Sequence, residues 1–313
     1  MMKAYRSKRA QRHILETYDE LLGQWKTNVT ERTVATRYGD AHVIECGCEN
    51  GKPLVLFHGV GDDSALMWIY NAAALGKHFH LFMVDTIGGP GKSTFTKAYN
   101  KKFDDVLWID DVLDGLQLFH TSIAGVSNGG YLVQLYTLSR NERVDKAISL
   151  AASVPAGGTG SPMKTMMKIF LPEALFPTKK NIKRLIIKLS GQHPEVFTDN
   201  PVMMEHYRWL LKGFRPMTMA YHTVRSFSEE EISKIRDKVY YLVGRDDPFA
   251  KLGGMQALIN EKMHVKFYDG AGHGINHEIA DAINREMIEW CLSPTIALPN
   301  KDCAKAAEDF CAE

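Results

Sequence analysis

The chain has 313 residues, 45% hydrophobic and 24% charged, with Lys+Arg at 38 and Asp+Glu at 37. That composition fits an ordinary globular protein with a large core, and the balanced charge excludes a global field that would attract nucleic acid or an anionic membrane. The five cysteines (Cys46, Cys48, Cys291, Cys303 and Cys311) lack a repeated Cys-x-x-Cys spacing, which excludes a disulfide framework or a structural zinc site and implies a reducing compartment.

No run of about 18 apolar residues exists, so no transmembrane helix is expected. Met1 to His13 is basic without an acidic residue, but Glu16, Asp19 and Glu20 follow at once and no apolar signal segment is present. This start reads as a solvated helix, and a cytoplasmic location is expected. Residues 7 to 26 place Ile14, Leu15, Tyr18, Leu21, Leu22 and Trp25 at three- and four-residue steps, which predicts an amphipathic helix. Glu31 to Tyr38 and His42 to Cys46 alternate polar and apolar residues around Gly39-Asp40, the pattern of a hairpin with one face toward solvent.

From Pro53 the pattern changes. Leu54–Phe57, His80–Val84, Thr121–Val126 and Ala147–Leu150 are short continuous apolar runs, each expected as a strand buried on both faces. Helical patterns separate them, notably Phe103 to Leu118, and this alternation predicts a doubly wound parallel sheet. The alternation stops after Ser153. Residues 154 to 230 carry Pro155, Gly157, Gly158 and Gly160, then helix-like stretches with Met163, Met166, Met167, Met203, Met204, Met217 and Met219. Strand-like runs return at Lys238–Val243 and His264–Tyr268, and a final helix is expected from Asn276 to Cys291. The division is therefore an N-terminal helical extension (1–29), an α/β core (30–153 and 231–292), a helical insertion (154–230) and a polar tail (293–313).

The chemistry centres on Gly125-Val126-Ser127-Asn128-Gly129, a G-x-S-x-G pentapeptide between a β-prone run and a helical one. A serine on a sharp turn needs flanking glycines, because a side chain there would crowd the neighbouring strand or helix. A serine hydroxyl also needs a base. His273 stands directly after the last predicted strand with glycines on both sides, so its loop can bring the ring to Ser127. The acid that orients the imidazole should follow the Tyr240–Val243 run. Asp247 is chosen there, three residues after Gly244 and directly before Pro248, with Asp246 as the alternative.

The order Ser127, Asp247, His273, together with His58-Gly59-Val60-Gly61 after the first buried strand and Asp85-Thr86-Ile87-Gly88 with Ser93 after the second, resembles the α/β-hydrolase superfamily over roughly residues 30 to 290. The N-terminal helix, the Tyr38–Ile44 segment and the long Asp85–Ser93 loop are similar to bacterial carboxylesterase-like members. The resemblance implies a mostly parallel eight-stranded sheet flanked by helices, with residues 154–230 as a cap after the sixth strand. It implies a cofactor-free, metal-free serine hydrolase acting on a small ester with an apolar moiety. Backbone N–H groups of Val60 and Asn128 would form the oxyanion hole, and cap methionines and Trp68 could line an acyl pocket. The same triad also serves C–C bond hydrolases, thioesterases, acyltransferases and cofactor-free haloperoxidases, and a non-catalytic binding member is a further alternative.

Other motifs carry blander readings. Gly91-Lys92-Ser93 lacks the glycine a phosphate loop needs at position 86, where Thr86 stands. His273 and His277 are four apart, but the intervening glycine and loop context argue against a metal pair. His277 is expected as a capping or surface residue, His58 as a structural group bonded to loop backbone, and the Asp104–Asp114 carboxylates as a solvated helix face.

Overall fold

In a computed structural model, residues 3–157, 169–171, 173 and 175–294 are described. Eight strands form one sheet: β1 (Val29–Thr36), β2 (Gly39–Gly47), β3 (Lys52–Phe57), β4 (Phe79–Val84), β5 (Thr121–Val126), β6 (Val144–Leu150), β7 (Val239–Gly244) and β8 (His264–Tyr268). Their order is β1-β2-β4-β3-β5-β6-β7-β8. β2 runs antiparallel to both β1 and β4, and every pairing from β4 through β8 is parallel.

The continuous apolar runs are buried on both faces, and their two-residue period divides them between two cores. Leu54 and Leu56 of β3 and Leu81 and Met83 of β4 face one core. It also takes residues from α1 (Lys8–Leu22), α2 (Ser64–Met67), α3 (Ala72–Leu75) and α12 (Ala280–Leu292). Val55 and Phe57, with Phe82 and Val84, face the other core. That core is shared with α4 (Asp105–Gly115), α5 (Asn128–Ser139), α9 (Glu229–Ile235) and α10 (Gly254–Asn260). Several helix starts carry side-chain caps that satisfy otherwise orphaned N–H groups. Ser7 accepts from Ala10 N, Asp104 accepts from Val106 N and Leu107 N, and Ser228 with Glu231 forms a capping box.

Between β6 and β7 the chain makes α6 (Lys179–Leu189), α7 (Glu195–Thr198) and α8 (Pro201–Gly213). α1 packs against α8, where a Cβ on Gly213 would approach the Ala10 Cβ to 2.7 Å. The N-terminal strap is tied there by Arg6 N to Gly213 O and by Arg215 N to Ala4 O, both 2.8 Å.

Several expectations change. The hairpin turns at Arg37-Tyr38 rather than at Gly39-Asp40, because Gly39 already pairs with Thr36. The final helix is two pieces, α11 (Ile275–Glu278) and α12, interrupted at Ile279 (φ −129°, ψ 44°). The α4 carboxylates are not uniformly solvated. Asp110 accepts from Tyr136 Oη, Arg140 and Arg143, and Asp105 is buried against His222. A helix periodicity shows which face is apolar but not which acids meet cations from a neighbouring helix. Trp68 is fully buried core. Met163, Met166, Met167 and the tail from residue 295 lie outside the described residues. Among the described residues no helix is long and apolar enough to cross a membrane.

Candidate active site

The loops that follow β3, β5, β7 and β8 leave the same edge of the parallel sheet, where the strands' carboxyl ends create a crevice. Ser127 stands between β5 and α5 with φ 56° and ψ −115°, a conformation a side-chain-bearing residue adopts only under strain. Gly125 and Gly129 make that turn possible. A Cβ on Gly125 would lie 2.3 Å from the Gly129 carbonyl carbon, and one on Gly129 would lie 2.4 Å from Phe57 O. Helix α5 therefore sits directly on the strand ends, with Ser127 raised above them.

Ser127, His273, Val60 and Asn128 all line one cavity of about 470 Å³. Asn128 is the first residue of α5, so its N–H has no acceptor within the helix. Val60 is 38% exposed at the loop after β3. That loop is held from below by His58, whose Nδ1–H donates to Gly59 O at 2.8 Å while Nε2 accepts from Thr86 N at 2.8 Å. His58 is thus bonded to loop backbone.

The structure brings His273 against Asp247, not Asp246. The His273 Nδ1–H donates to Asp247 Oδ2 at 2.8 Å, and Asp247 Oδ1 accepts from Phe249 N at 2.8 Å. Asp247 is 1% exposed, whereas Asp246 turns outward to Lys251 at 2.9 Å. Burial draws the His273 pKa down, but the charge and hydrogen bond of Asp247, with Glu278 and Asp62 beyond, outweigh it and hold the pKa above the ordinary histidine value. The Nε2 side of the ring carries no partner among the described residues.

Three contributors escaped sequence reasoning. The Phe249 ring lies 4.7 Å from the His273 ring and flanks it. Glu278 accepts from Gly272 N at 3.1 Å and from Gly191 N at 2.7 Å, pinning the His273 loop to the segment after α6. Asp62, beside the glycine loop, puts a carboxyl into the cavity wall. None has a periodic or motif signal, since each acts across distant parts of the chain. His277 is neither cap nor surface. It is buried beside Phe197, its Nε2–H donates to Leu66 O at 2.9 Å, and burial pushes its pKa down to about 4.

Opposite Ser127 the cavity is walled by Phe170, Ile186, Leu189, Phe197, Tyr207 and Val224. The methionine expectation does not hold among the described residues. Met203 and Met219 are buried in the core, and Met217 is exposed away from the cavity. Branched and aromatic side chains make a more rigid wall than methionines would.

A family profile described as alpha/beta hydrolase fold matches residues 52–175. Carboxylesterase YbfK of Bacillus subtilis is 35% identical over 136 residues, a match spanning 44% of this chain and 46% of that protein. A second Bacillus subtilis protein, the uncharacterized carboxylesterase nap, is 26% identical over 286 residues, covering 88% of this chain and 91% of its own length. A 2-hydroxy-6-oxononadienedioate/2-hydroxy-6-oxononatrienedioate hydrolase of Pseudomonas putida is 24% identical, covering 83% of this chain and 96% of that protein. Among solved structures, the naproxen esterase of Bacillus subtilis superposes with a TM-score of 0.77 at 23% identity, over 90% of this chain and 98% of that one. The strand order and these similarities give the chain the α/β-hydrolase fold, with carboxylesterases among the proteins it is similar to.

Proposed function

We propose that the chain is a carboxylic-ester hydrolase in which Ser127 is the nucleophile, His273 the base and Asp247 its orienting acid. One observation carries this reading. Among the described residues four histidines hold an aspartate within 3.0 Å (His42, His206, His222 and His273), and only His273 keeps its second nitrogen unpaired on a cavity shared with an elbow serine. The ester relatives support the reaction class.

The steps follow from acyl-transfer chemistry. Ser127 Oγ attacks the ester carbonyl as its proton passes to His273 Nε2. The Val60 and Asn128 N–H groups receive the oxyanion, each such donor contributing on the order of 3 kcal/mol. Collapse expels the alcohol, which takes the proton from His273, and water then cleaves the acyl-enzyme through the same base. In this reading residues 154–230 form a cap over the core of 30–153 and 231–292, and residues 1–29 are an extension strapped to it. The apolar wall suits an acyl or aromatic moiety.

A panel of neutral p-nitrophenyl acyl esters tests the proposal. Turnover by the parent protein that disappears in Ser127→Ala is expected, and equal turnover in that variant overturns it. The second reading, hydrolysis of a C–C bond, draws on the Pseudomonas putida relative, and the same panel run beside a vinylogous 1,5-diketone decides between the two.

A further inference from the structure

The cavity wall holds a carboxyl group that ester cleavage does not require. Asp62 lies in its wall, within electrostatic reach of His273. One of its oxygens accepts from the Asp63 N–H at 3.0 Å, and no lysine or arginine pairs with it among the described residues. Among the described residues the single Lys or Arg along the cavity wall is Arg225, and both its terminal nitrogens bond Glu231 at 2.9 and 2.8 Å. The rest of the described wall is aromatic, aliphatic or small and hydroxylic, with Asn128, Asn276, His273 and His277 as its other polar members. Among the described residues the cavity therefore offers a carboxylate oxygen without a partner and no unpaired Lys or Arg.

We propose that Asp62 selects the substrate by charge, so that the preferred ester carries a hydrogen-bond donor or a cation where it meets this carboxyl and esters bearing a carboxylate are rejected. This deepens the ester-hydrolase reading and rests on it. A carboxylate substrate would have to be buried against a like charge with no counter-ion among the described residues, which is destabilising in a site of low dielectric. A cation or donor instead completes the hydrogen bonding of Asp62. Rejection of anions also speeds departure of the acid product, which leaves as a carboxylate.

The carboxyl's own titration gives a distinguishing signature. Burial and the charge of Asp63 push Asp62 up to about 7, opposed by His206 and His273. Tyr207, which also lines the cavity, faces it as a neutral phenol whose pKa is raised by burial and by Asp62 itself. Below pH 7 the group is protonated and tolerates an anion; above it the charge appears and excludes one. His273 must be neutral for turnover of every ester, so its titration cancels in a ratio of two substrates.

The test measures kcat/KM for matched neutral, anionic and cationic esters between pH 5.5 and 8.5, at low salt. In one series the charge sits on the acyl chain (p-nitrophenyl butyrate, mono-p-nitrophenyl glutarate and the ω-trimethylammonio analogue). In the other it sits on the alcohol (butyl butyrate, butyryl glycolate and butyrylcholine). In at least one series the cation should exceed the anion by about tenfold or more, and the anion-to-neutral ratio should fall as pH rises through 7. Asp62→Asn should compress the preference and flatten that ratio, and Asp62→Ser serves if the first variant folds poorly. Neutral esters turned over with no charge preference in either series, or an Asp62→Asn ratio as steep as the parent's, would overturn the proposal. Failure to cleave any ester would instead remove the hydrolase reading beneath it.

Discussion

Two histidine–aspartate pairs in this molecule have the same bond length and different surroundings. His206 Nε2 and His273 Nδ1 each meet an aspartate oxygen at 2.8 Å. His206 is completely buried, its other nitrogen meets the Thr17 hydroxyl at 2.7 Å, and its partner Asp63 caps α2 by accepting from Leu66 N. That chain of bonds ties α1, α8 and the loop after β3 into one unit. The His273 ring instead lines the cavity that Ser127 also lines, and its second nitrogen has no partner among the described residues. A pair whose donors and acceptors are all used holds structure together; a pair with one nitrogen left open toward a cavity can move a proton.

The largest expected effect falls on the open pair. Ser127→Ala or His273→Ala should lower kcat/KM for a neutral ester by about 10⁴-fold or more with little change in the unfolding midpoint. Asp247→Asn should approach the same loss, because the wrong imidazole tautomer is then stabilised. An Asp247→Asn enzyme within tenfold of the parent would show that the two pairs differ less than their surroundings suggest.

The closed pair should answer through stability. His206→Ala leaves Asp63 buried without its partner and should cost about 3–5 kcal/mol in chemical denaturation. Activity per folded molecule should fall far less than for His273→Ala. Comparable losses of activity in the two variants would mean that the Asp63 chain does more than hold the loop.

The pH profile sharpens the contrast. His273 acts as a base only when neutral, and its pKa is raised above the ordinary value of 6.5, so kcat/KM for a neutral ester should rise with pH to a midpoint above 6.5. The raised pKa also means that the His273–Asp247 interaction adds most stability at low pH, where the ring is charged, and that this contribution is lost as pH climbs through the folded-state value. Removing the Asp247 charge should move the activity midpoint downward. The smallest effects belong to the wall. Ile186→Ala should shift preference toward a bulkier acyl group by about 1–3 kcal/mol in relative kcat/KM, whereas Met217→Ser, at an exposed side chain, should leave that preference unchanged.

Much of this arrangement was legible in the chain because each part of it has a local cause. Strands buried on both faces must read as apolar runs, as Leu54–Phe57 and Thr121–Val126 do, and a serine held at φ 56° must be flanked by residues that permit close backbone approach. The position of His273 followed from glycines around a strand end. What stayed hidden depends on distant partners. Nothing near Glu278 shows that it grips Gly191, nothing in α4 shows that Asp110 meets Arg140 and Arg143, and no pattern marks Asp62 as facing the cavity. Among the described residues Met203, Met204, Met217 and Met219 misled for a related reason. Their number described the segment after β6, but only packing decides that Ile186, Phe197 and Tyr207 form the wall.

The most direct measurement is the rate at which a fluorophosphonate probe, attacked at phosphorus with loss of fluoride, phosphonylates the folded protein, with the modified peptide mapped by mass spectrometry. The account predicts a single adduct on Ser127, formed at least about 10³-fold more slowly in His273→Ala and at close to the parental rate in His206→Gln. An adduct on another residue, or labelling of Ser127 that survives His273→Ala undiminished, would contradict it.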